Sequence, residues 1–437
     1  MPKAVRCAFY SIPRIQMLFN LLANARRSPA VIRRIQERKF QALVAHAFRS
    51  VPFYRQLYRE AGFNPLSIKS FADLAQLPPV SKKDLLERPL AEIIAAGVSP
   101  EECESASSSG SSGRPLTAYW LPADRAMMNL GWKRAYLLSG MGWRDRLADF
   151  SGRHPSERYA HWHERLGFFP RRVISSRLEP SQWVDILRDW RPAVISGSIM
   201  TLRLLAEYIR DQGITDVRPR LILNSSEFMG DMSRRLLSEI FGCSVIDLYG
   251  SEEAGCIAWE CPICSGYHVA SDMNVVEVLR DGRPALPGEQ GEVVITNLHS
   301  YAMPFIRYRQ GDLVTLARQD PCCGIPFPLI SKFEGRDEDF LVLDDGQRLP
   351  PPPFYHCLDP VPGIVRWRIV QEIAGSMRLE LMVGNGFSAE HLARIVDDLK
   401  SLTKGRMMVE VVQVDIIPVS AGVKFKAIRS RVGDWSR

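Results

Sequence analysis

The chain has 437 residues, of which 46% are hydrophobic and 24% are charged. A chain of this size and composition folds into two or three domains with sizeable cores, which excludes a disordered, collagen-like or disulfide-stapled protein. The formal net charge is +7, and we take the excess to be spread over the chain, with local clusters at Arg26-Arg27 and Arg171-Arg172. Because nucleic-acid-binding proteins usually gather their positive charge in one patch or arm, we expect no nucleic-acid partner.

The N-terminal segment has apolar stretches that Arg and Pro interrupt, and no run approaches the roughly 20 residues that a membrane-spanning helix needs. No long apolar core leads to a small-residue cleavage site, so no signal peptide is expected. We therefore predict a cytoplasmic protein with at most a peripheral membrane contact, through residues 8–22. Nine cysteines in such a chain do not indicate a disulfide framework.

The first hundred residues are predicted to form a helical layer. Apolar residues recur at helical spacing from Ala30 to Arg88, with Pro52 ending one helix and Gly62 the next. Ser81, with Asp84 three residues later, predicts the capped start of a further helix.

The middle of the chain predicts an α/β core. Helical stretches around 123–139 and 181–211 alternate with the short apolar runs PAVISG, RLILNSSE and CSVIDLYGSEE, which are typical of buried parallel strands. Residues 274–314 alternate between apolar and polar instead, with turns at Asp281-Gly282 and Pro287-Gly288. They predict a β-rich subdomain, an antiparallel sheet or small barrel, appended to the core.

The end of the chain predicts a separate small α+β domain. Strand pairs after Gly335 are followed by a helix at 388–403 and one more strand, MVEVVQVDII. The predicted organisation is thus α/β, with an N-terminal domain at 1–334 and a C-terminal domain at 335–437, joined by a hinge.

A Ser/Gly-rich segment, SSSGSSGRP at 107–115, is the first indication of function. Glycines let the backbone approach an oxyanion, serine hydroxyls and backbone N–H groups donate to phosphate oxygens, and Arg114 adds positive charge. It is not a Walker loop, because the Gly-Lys-Ser/Thr ending is absent. A solvated loop without a ligand is the alternative interpretation.

Four further motifs follow this loop in order: DLYGSEEAG at 247–255, IRYRQGDLV at 306–314, FEGRDED at 333–339 and PVSAGVKFK at 418–426. Together the series resembles the adenylate-forming (acyl-CoA synthetase-like) superfamily over nearly the whole chain. Within it, the branch of phenylacetate-coenzyme A ligases and capsular-polysaccharide ligase-like proteins is the most similar.

The resemblance implies a ligase that joins a carboxylic acid to the α-phosphate of ATP, releases pyrophosphate and passes the acyl group to a nucleophile. The thiol of coenzyme A is the preferred acceptor, and a carrier-protein thiol or an amine is left open. A catalytically impaired nucleotide-binding scaffold is the alternative hypothesis, and a homodimer is also left open.

The resemblance also assigns nucleotide-binding residues. Asp312 would accept hydrogen bonds from the ribose hydroxyls, which suits a carboxylate because it can accept from two hydroxyls at once. Tyr249 and Gly250 would lie beside the adenine, and Gly335–Asp339 would form the hinge. The full predicted set is Ser108, Ser109, Gly110, Ser111, Ser112 and Gly113 as the triphosphate clamp, with Ser226, Glu227, Tyr249, Gly250, Ser251, Glu252, Asp312 and Arg336.

Two residues are assigned to catalysis by the same resemblance. Glu253 falls where the family keeps a magnesium-binding carboxylate, and a single carboxylate beside phosphate oxygens suits Mg²⁺. Glu252 stands where relatives carry Thr or Ser, so either glutamate could be the ligand. Lys424 is the candidate for the lysine that reaches the carboxylate and α-phosphate during adenylation, and Lys426 is the alternative, because Val423 replaces the glycine that relatives carry before this lysine.

Clustered cysteines suggest a metal site. Cys261, His268 and Cys323 match a pattern seen in some relatives, which implies a closed, structural zinc site with four protein ligands. Cys322 is the predicted fourth ligand and Cys264 competes with it, while free thiols are the alternative interpretation.

The identity of the acid is not readable from the sequence. Its pocket is expected within residues 125–200, where aromatic and basic side chains are compatible with an aryl or a sugar-linked acid: Trp132, Trp143, His154, His161 and Trp162.

Overall fold

A computed structural model of the protein describes residues 11–68, 70–107, 115–151, 167–225, 228–336, 340–418 and 427–432. Its α-helices are α1 (Ser11–Asn24), α2 (Pro29–Ser50), α3 (Pro52–Glu60), α4 (Lys82–Leu86), α5 (Leu90–Ile93), α6 (Pro122–Leu138), α7 (Pro180–Trp190), α8 (Ile199–Asp211), α9 (Asp231–Phe241), α10 (Pro352–Leu358) and α11 (Ala389–Leu402). Short 3₁₀ turns lie at Pro65–Ser67, Phe71–Gln76 and Pro100–Glu102.

The strands are β1 (Glu104–Ser107), β2 (Thr117–Trp120), β3 (Leu147–Ser151), β4 (Arg171–Ser175), β5 (Val194–Gly197), β6 (Leu221–Ser225), β7 (Ser244–Ser251), β8 (Gly255–Glu260), β9 (Tyr267–Val269), β10 (Asn274–Arg280), β11 (Arg283–Pro284), β12 (Gln290–Asn297), β13 (Tyr308–Leu316), β14 (Leu329–Arg336), β15 (Leu341–Val342), β16 (Arg348–Leu349), β17 (Ile364–Gln371), β18 (Ser376–Val383), β19 (Met408–Gln413) and β20 (Ile428–Ser430).

The N-terminal helices end where local chemistry predicts. Pro52 occupies the first turn of α3, so α2 stops at Ser50, and Gly62 takes a positive φ of 64° after α3. Ser81 caps α4: its hydroxyl accepts from the backbone N–H of Asp84, whose carboxylate accepts from the Ser81 N–H. The predicted helical layer is confirmed.

The parallel half of the main sheet has the order β7-β6-β5-β3-β4. Alternate residues of one strand face opposite sides. Leu221 and Leu223 of β6 therefore pack with Leu130 of α6, while Ile222 between them packs with Leu202 of α8. Both faces of the parallel strands are thus covered by helices, as an α/β core requires.

The strands of 274–314 form the predicted antiparallel, β-rich part of the fold, and they lie in the same sheet as the parallel strands. They belong to one twelve-stranded sheet, in the order β11-β10-β12-β13-β14-β9-β8-β7 and then the parallel strands. Strand β8 turns back from β7, with Ser251 opposite Gly255, and the three-residue β9 joins β8 to β14. The antiparallel strands therefore extend the parallel sheet through β7.

The C-terminal residues form a small sheet of their own, β19-β18-β17-β20, with α11 packed on it. Among the described residues, Arg203 of α8 lies 3.6 Å from Asp359, which follows α10, and the Phe228 and Tyr355 rings are 5.7 Å apart. The expected mixed α/β fold is confirmed, while the domain boundary at 334/335 stays a prediction. In the part of the chain that the structure describes, no helix is long and apolar enough to cross a membrane.

Candidate nucleotide and metal sites

Two predicted nucleotide-binding residues meet at the end of β7. The Tyr249 hydroxyl donates to Asp312 Oδ2 of β13 at 2.5 Å, and the Tyr249 ring centroid lies 4.3 Å from that of Phe333 on β14. Asp312 is in register with Arg336, the last residue of β14. Since a carboxylate has acceptor capacity for several hydrogen bonds, the Tyr249 hydroxyl leaves Asp312 able to accept from a ligand as well. The arrangement offers an aromatic surface beside a hydroxyl-binding group.

The turn that follows Tyr249 has room for glycine alone. A Cβ at Gly250 would lie 2.6 Å from the Trp132 ring and closer still to the Gly255 carbonyl oxygen. Trp132 belongs to α6, in the region where the sequence predicts the acid pocket. The structure therefore brings one of the candidate pocket residues into contact with the Tyr249 turn.

The two glutamates of the turn have different surroundings. Glu253 is only 6% exposed, and its Oε1 lies 3.4 Å from the Tyr308 hydroxyl, while its backbone carbonyl accepts from Asn297 Nδ2 at 2.8 Å. Glu252 is partly exposed, with Oε2 3.6 Å from Arg125 Nη1. The two carboxylates are thus held by different partners, and both stay candidates for the magnesium ligand.

Arg125 is a site residue that the sequence analysis missed. On α6, its guanidinium lies 4.7 Å from the Trp120 ring centroid and 3.8 Å from Glu104 Oε2, as well as beside Glu252. Glu104 and Trp120 are paired residues of the β1–β2 hairpin, whose connecting residues contain the Ser/Gly segment. Arg125 therefore joins the base of this hairpin to the turn after β7. The adjacent glutamates Glu252 and Glu253 were the available signal, because two neighbouring carboxylates favour a nearby cation.

A buried acidic network lies behind Tyr249. Asp247 accepts from Asn224 Nδ2 at 2.6 Å and from the Tyr267 hydroxyl at 2.9 Å, and burial raises the pKa of Asp247 to about 6. The Tyr267 ring packs edge-on against Phe333, which also contacts Tyr249. The network thus fixes the ring against which Tyr249 packs. Asp247 is the first residue of the DLYGSEEAG motif, yet the sequence analysis assigned no role to it.

We predict that Asp247→Asn stabilises the protein more at pH 8 than at pH 4. Because the pKa of Asp247 is higher in the folded state, the unfolded chain loses this proton at lower pH than the folded protein does. The free energy of unfolding is therefore highest below the ordinary pKa of 3.8, and it falls as the pH rises through about 6. Asparagine does not ionise, so the variant should have a free energy of unfolding about 1–3 kcal/mol higher than the wild type at pH 8. Urea unfolding at both pH values measures it. An equal effect at both would show that the Asp247 carboxyl does not titrate differently on folding.

Several predicted site residues lie outside the described residues, and for Arg336 only the backbone is described. The flanking elements are defined: Ser107 and Thr117 close the β1–β2 hairpin with hydroxyls 2.9 Å apart, and Ser225 at the end of β6 pairs with Leu248. The residues outside the description are Ser108, Ser109, Gly110, Ser111, Ser112, Gly113, His154, His161, Trp162, Ser226, Glu227, Asp337, Glu338, Asp339, Lys424 and Lys426.

Three predicted metal ligands come together. The ligand atoms of Cys261, His268 and Cys323 all lie within 4.8 Å of one another, with His268 Nε2 3.1 Å from Cys323 Sγ. Cys261 lies in the connection from β8 to β9, His268 lies in β9, and Cys323 lies before β14. His268 Nδ1 lies 3.3 Å from the Phe327 carbonyl oxygen, and burial lowers the pKa of His268, which favours the neutral imidazole. A carbonyl partner on Nδ1 leaves Nε2 as the ligand atom.

The surrounding backbone suits thiolate ligands. Cys261 Sγ accepts from the N–H of Cys264 at 3.1 Å and from that of Ile263 at 3.4 Å. Cys264 Sγ accepts from the N–H of Cys322 at 3.0 Å, while Cys322 itself is exposed. Two sulfurs and an imidazole nitrogen fit zinc. Cys264 and Cys322 both adjoin this group, so both stay candidates for a fourth ligand.

No protein-family model matches the chain. It is 26% identical to the phenylacetate-coenzyme A ligase of Thermus thermophilus over 388 residues, which are 84% of this chain and 85% of that protein. It is 28% identical to the Pseudomonas putida enzyme of the same name over 71% of this chain and 72% of that one.

Among solved structures, 2-hydroxyisobutyryl-CoA ligase in the postadenylation state superposes with a TM-score of 0.76 at 20% identity, over 93% of this chain and 90% of that chain. Anthranilate CoA ligase with anthranoyl-AMP gives a TM-score of 0.55 at 15% identity, over 81% and 73%. These comparisons confirm the resemblance to the superfamily and branch that the motifs indicated, and they confirm the fold.

Proposed function

We propose that the protein is an AMP-forming carboxylate ligase, which converts a carboxylic acid and ATP to an acyl-adenylate and pyrophosphate and then transfers the acyl group to coenzyme A. The contact between Tyr249 and Asp312 carries the proposal. Sixty-three residues separate them in sequence, yet the fold joins them at the end of β7, as adenine and ribose binding by one nucleotide site requires. The similarity to phenylacetate-coenzyme A ligases over most of the chain supports the same reaction.

In this proposal the chain holds two anions close together although they repel each other: the carboxylate of the acid and the triphosphate of ATP. Tyr249, backed by Phe333, holds the nucleoside, Asp312 accepts from the ribose hydroxyls, and Gly250 lets the backbone approach. The Ser/Gly segment at 108–113 clamps the triphosphate, with Ser226, Glu227, Ser251 and Arg336 completing the nucleotide site. In-line attack of the acid then depends mainly on positioning and charge neutralisation.

Different charged groups offset the different negative charges in the proposed site. Glu253 would hold magnesium, which supplies positive charge to the phosphate oxygens. Arg125 offsets the carboxylate of Glu252, so that the second glutamate does not repel the triphosphate. Lys424 reaches the α-phosphate from the C-terminal domain at 335–437, which moves about the hinge at 335–339 between the two half-reactions.

The same comparisons support the proposed class of acid and the proposed acceptor. Relatives and structural neighbours are named for phenylacetate, 2-hydroxyisobutyrate and anthranilate, and Trp132 at the Gly250 turn favours a small, partly apolar acid here. Coenzyme A is the proposed acceptor, with a carrier-protein thiol or an amine as alternatives. We retain the cytoplasm as the predicted location and expect no nucleic-acid partner.

Pyrophosphate release with a panel of aryl, hydroxy and aliphatic acids tests the proposal, with and without coenzyme A. A ligase releases pyrophosphate with at least one acid and forms the thioester only when coenzyme A is present. A catalytically impaired scaffold releases none with any acid. Pyrophosphate release without thioester formation would support adenylate formation but contradict coenzyme A as the acceptor. A carrier-protein thiol or an amine would then be the proposed acceptor.

We further propose that Cys261, His268 and Cys323, with Cys264 or Cys322, hold a structural zinc ion that ties the connections flanking β9 and β14 together. Protein purified without added metal should contain about one zinc per chain. Cys261→Ser and His268→Ala should lose the metal and melt early, because zinc binding couples to folding.

Cys103→Ser is the matched control, since this thiol lies far from the cluster in sequence and should keep both zinc and stability. Zinc loss in Cys264→Ser but not in Cys322→Ser would identify the local cysteine as the fourth ligand. Fully stable protein without zinc would remove the site from the proposal.

A further inference from the structure

The positive charge of the chain is concentrated at one end, which corrects the expectation of an even spread. The first 36 residues contain seven Lys or Arg and no Asp or Glu, which equals the whole formal excess of +7. The remaining 49 Lys and Arg match the 49 Asp and Glu. A segment with this imbalance attracts anionic surfaces.

The same segment exposes apolar side chains. Helix α1 buries Leu18 and Leu21, yet Phe19 is 55% exposed and Ile15, one turn earlier on the same face, is also exposed. Leu18 and Leu21 dock α1 on α6, because both belong to the buried cluster that contains Leu130. Ile15 and Phe19 face outward from the docked helix.

Aromatic residues from two other segments extend this surface. The Phe19 ring stacks on Trp143 with centroids 5.6 Å apart, and Trp143 contacts Phe169 at 5.2 Å. Phe168, the neighbour of Phe169, is 42% exposed. We name Ile15, Phe19 and Trp143 the aromatic patch. Such a cluster of protruding rings marks an interaction surface.

Basic side chains accompany the patch. Arg14 adjoins Ile15, Arg26 and Arg27 lie just after the end of α1 at Asn24, and Arg144 adjoins Trp143; all four are exposed. Asp145, which follows Arg144 in the chain, is already paired with Arg220. The four arginines give this part of the chain a positive charge.

We propose that the aromatic patch and its arginines dock the protein peripherally on an anionic lipid bilayer. Trp and Phe rings are suited to the headgroup region, and arginines are suited to lipid phosphates. A bilayer requires protruding apolar groups and positive charge, both of which this surface has, and it requires no complementary shape. A folded partner would instead be recognised through matched donors and acceptors and mixed charge.

Co-sedimentation with vesicles tests the proposal. The full chain should pellet with phosphatidylcholine vesicles that contain about 30% phosphatidylserine and stay in solution with phosphatidylcholine alone, and raising the salt should release it. The double variant Ile15→Ser, Phe19→Ser should bind about tenfold less, because it removes two protruding apolar groups. Arg26→Gln with Arg27→Gln should lose a similar factor on anionic vesicles.

Ile373→Ser is the matched control, since Ile373 is 67% exposed in the C-terminal residues and belongs to no patch. It should bind vesicles as the wild type does. Pyrophosphate release and the melting temperature of the α1 variants should be unchanged, because the substituted side chains lie outside the candidate sites and are exposed.

Three results would overturn the proposal. Equal binding to neutral and anionic vesicles would remove the role of the arginines. Binding that depends on Arg26 and Arg27 but not on Phe19 would indicate an electrostatic site for an acidic macromolecule. A concentration-dependent dimer that Phe19→Ser abolishes would assign the patch to a second copy of the chain.

Discussion

Lys424→Ala is expected to slow adenylate formation by about 10²-fold or more while acyl transfer from preformed acyl-adenylate to coenzyme A stays nearly intact. The reason is electrostatic. In the proposed mechanism the lysine charge acts where negative charge accumulates between the attacking carboxylate and the α-phosphate, so the first transition state depends on it. The proposed movement of the C-terminal domain then takes the lysine away, and the second half-reaction proceeds without that charge.

Single-turnover measurement of each half-reaction checks this expectation. Lys426→Ala is the matched control, since it removes the same charge two residues later and should have the milder effect. Equal loss in both half-reactions would contradict the assigned role, and a more severe Lys426→Ala would transfer that role to Lys426.

Local patterns predicted the helices and most strands because the signals are local. Pro52 cannot continue α2 and Ser81 caps α4, whatever the rest of the chain does. The joining of the two halves of the sheet was missed because it depends on β9, a strand of three residues whose partners lie about ten residues before it and sixty after it. A strand of three residues is too short for the alternation of apolar and polar residues to be detected in the sequence.

In the candidate nucleotide site too, residues with a local sequence signal were predicted and residues that depend on distant partners were not. Tyr249 and Asp312 were predicted from motifs, and the structure joins them. Arg125 and Asp247 were missed because their roles exist only through distant partners: Arg125 meets Glu252 across 127 positions of sequence, and Asp247 is buried by strands on both sides. A charge in a sequence does not reveal its partner.

Glu253→Gln is expected to lower the rate of adenylate formation by about 10²-fold and to raise the magnesium concentration that the reaction requires, because a neutral amide is a poor ligand for this hard cation. Glu253 is buried, with its Oε1 3.4 Å from the Tyr308 hydroxyl, and a change to glutamine keeps the size of the side chain while it removes the negative charge. Rates measured across a magnesium titration separate weaker metal binding, which excess metal restores, from a general structural defect.

Glu252→Gln is the matched control, and Arg125 explains why its effect should be small or even favourable. Removing the Glu252 charge leaves Arg125 with Glu104 as its carboxylate partner, so the guanidinium stays at the base of the hairpin that carries the phosphate-binding segment. Arg125→Ala has the opposite effect, since it leaves Glu252 uncompensated and should raise the KM for ATP by about tenfold, a modest factor because Glu252 is partly exposed. Adding Glu252→Gln to Arg125→Ala should restore most of that loss. If Glu252→Gln proves more damaging than Glu253→Gln, Glu252 is the magnesium ligand, and the Arg125 contact then belongs to the metal-free state of that residue.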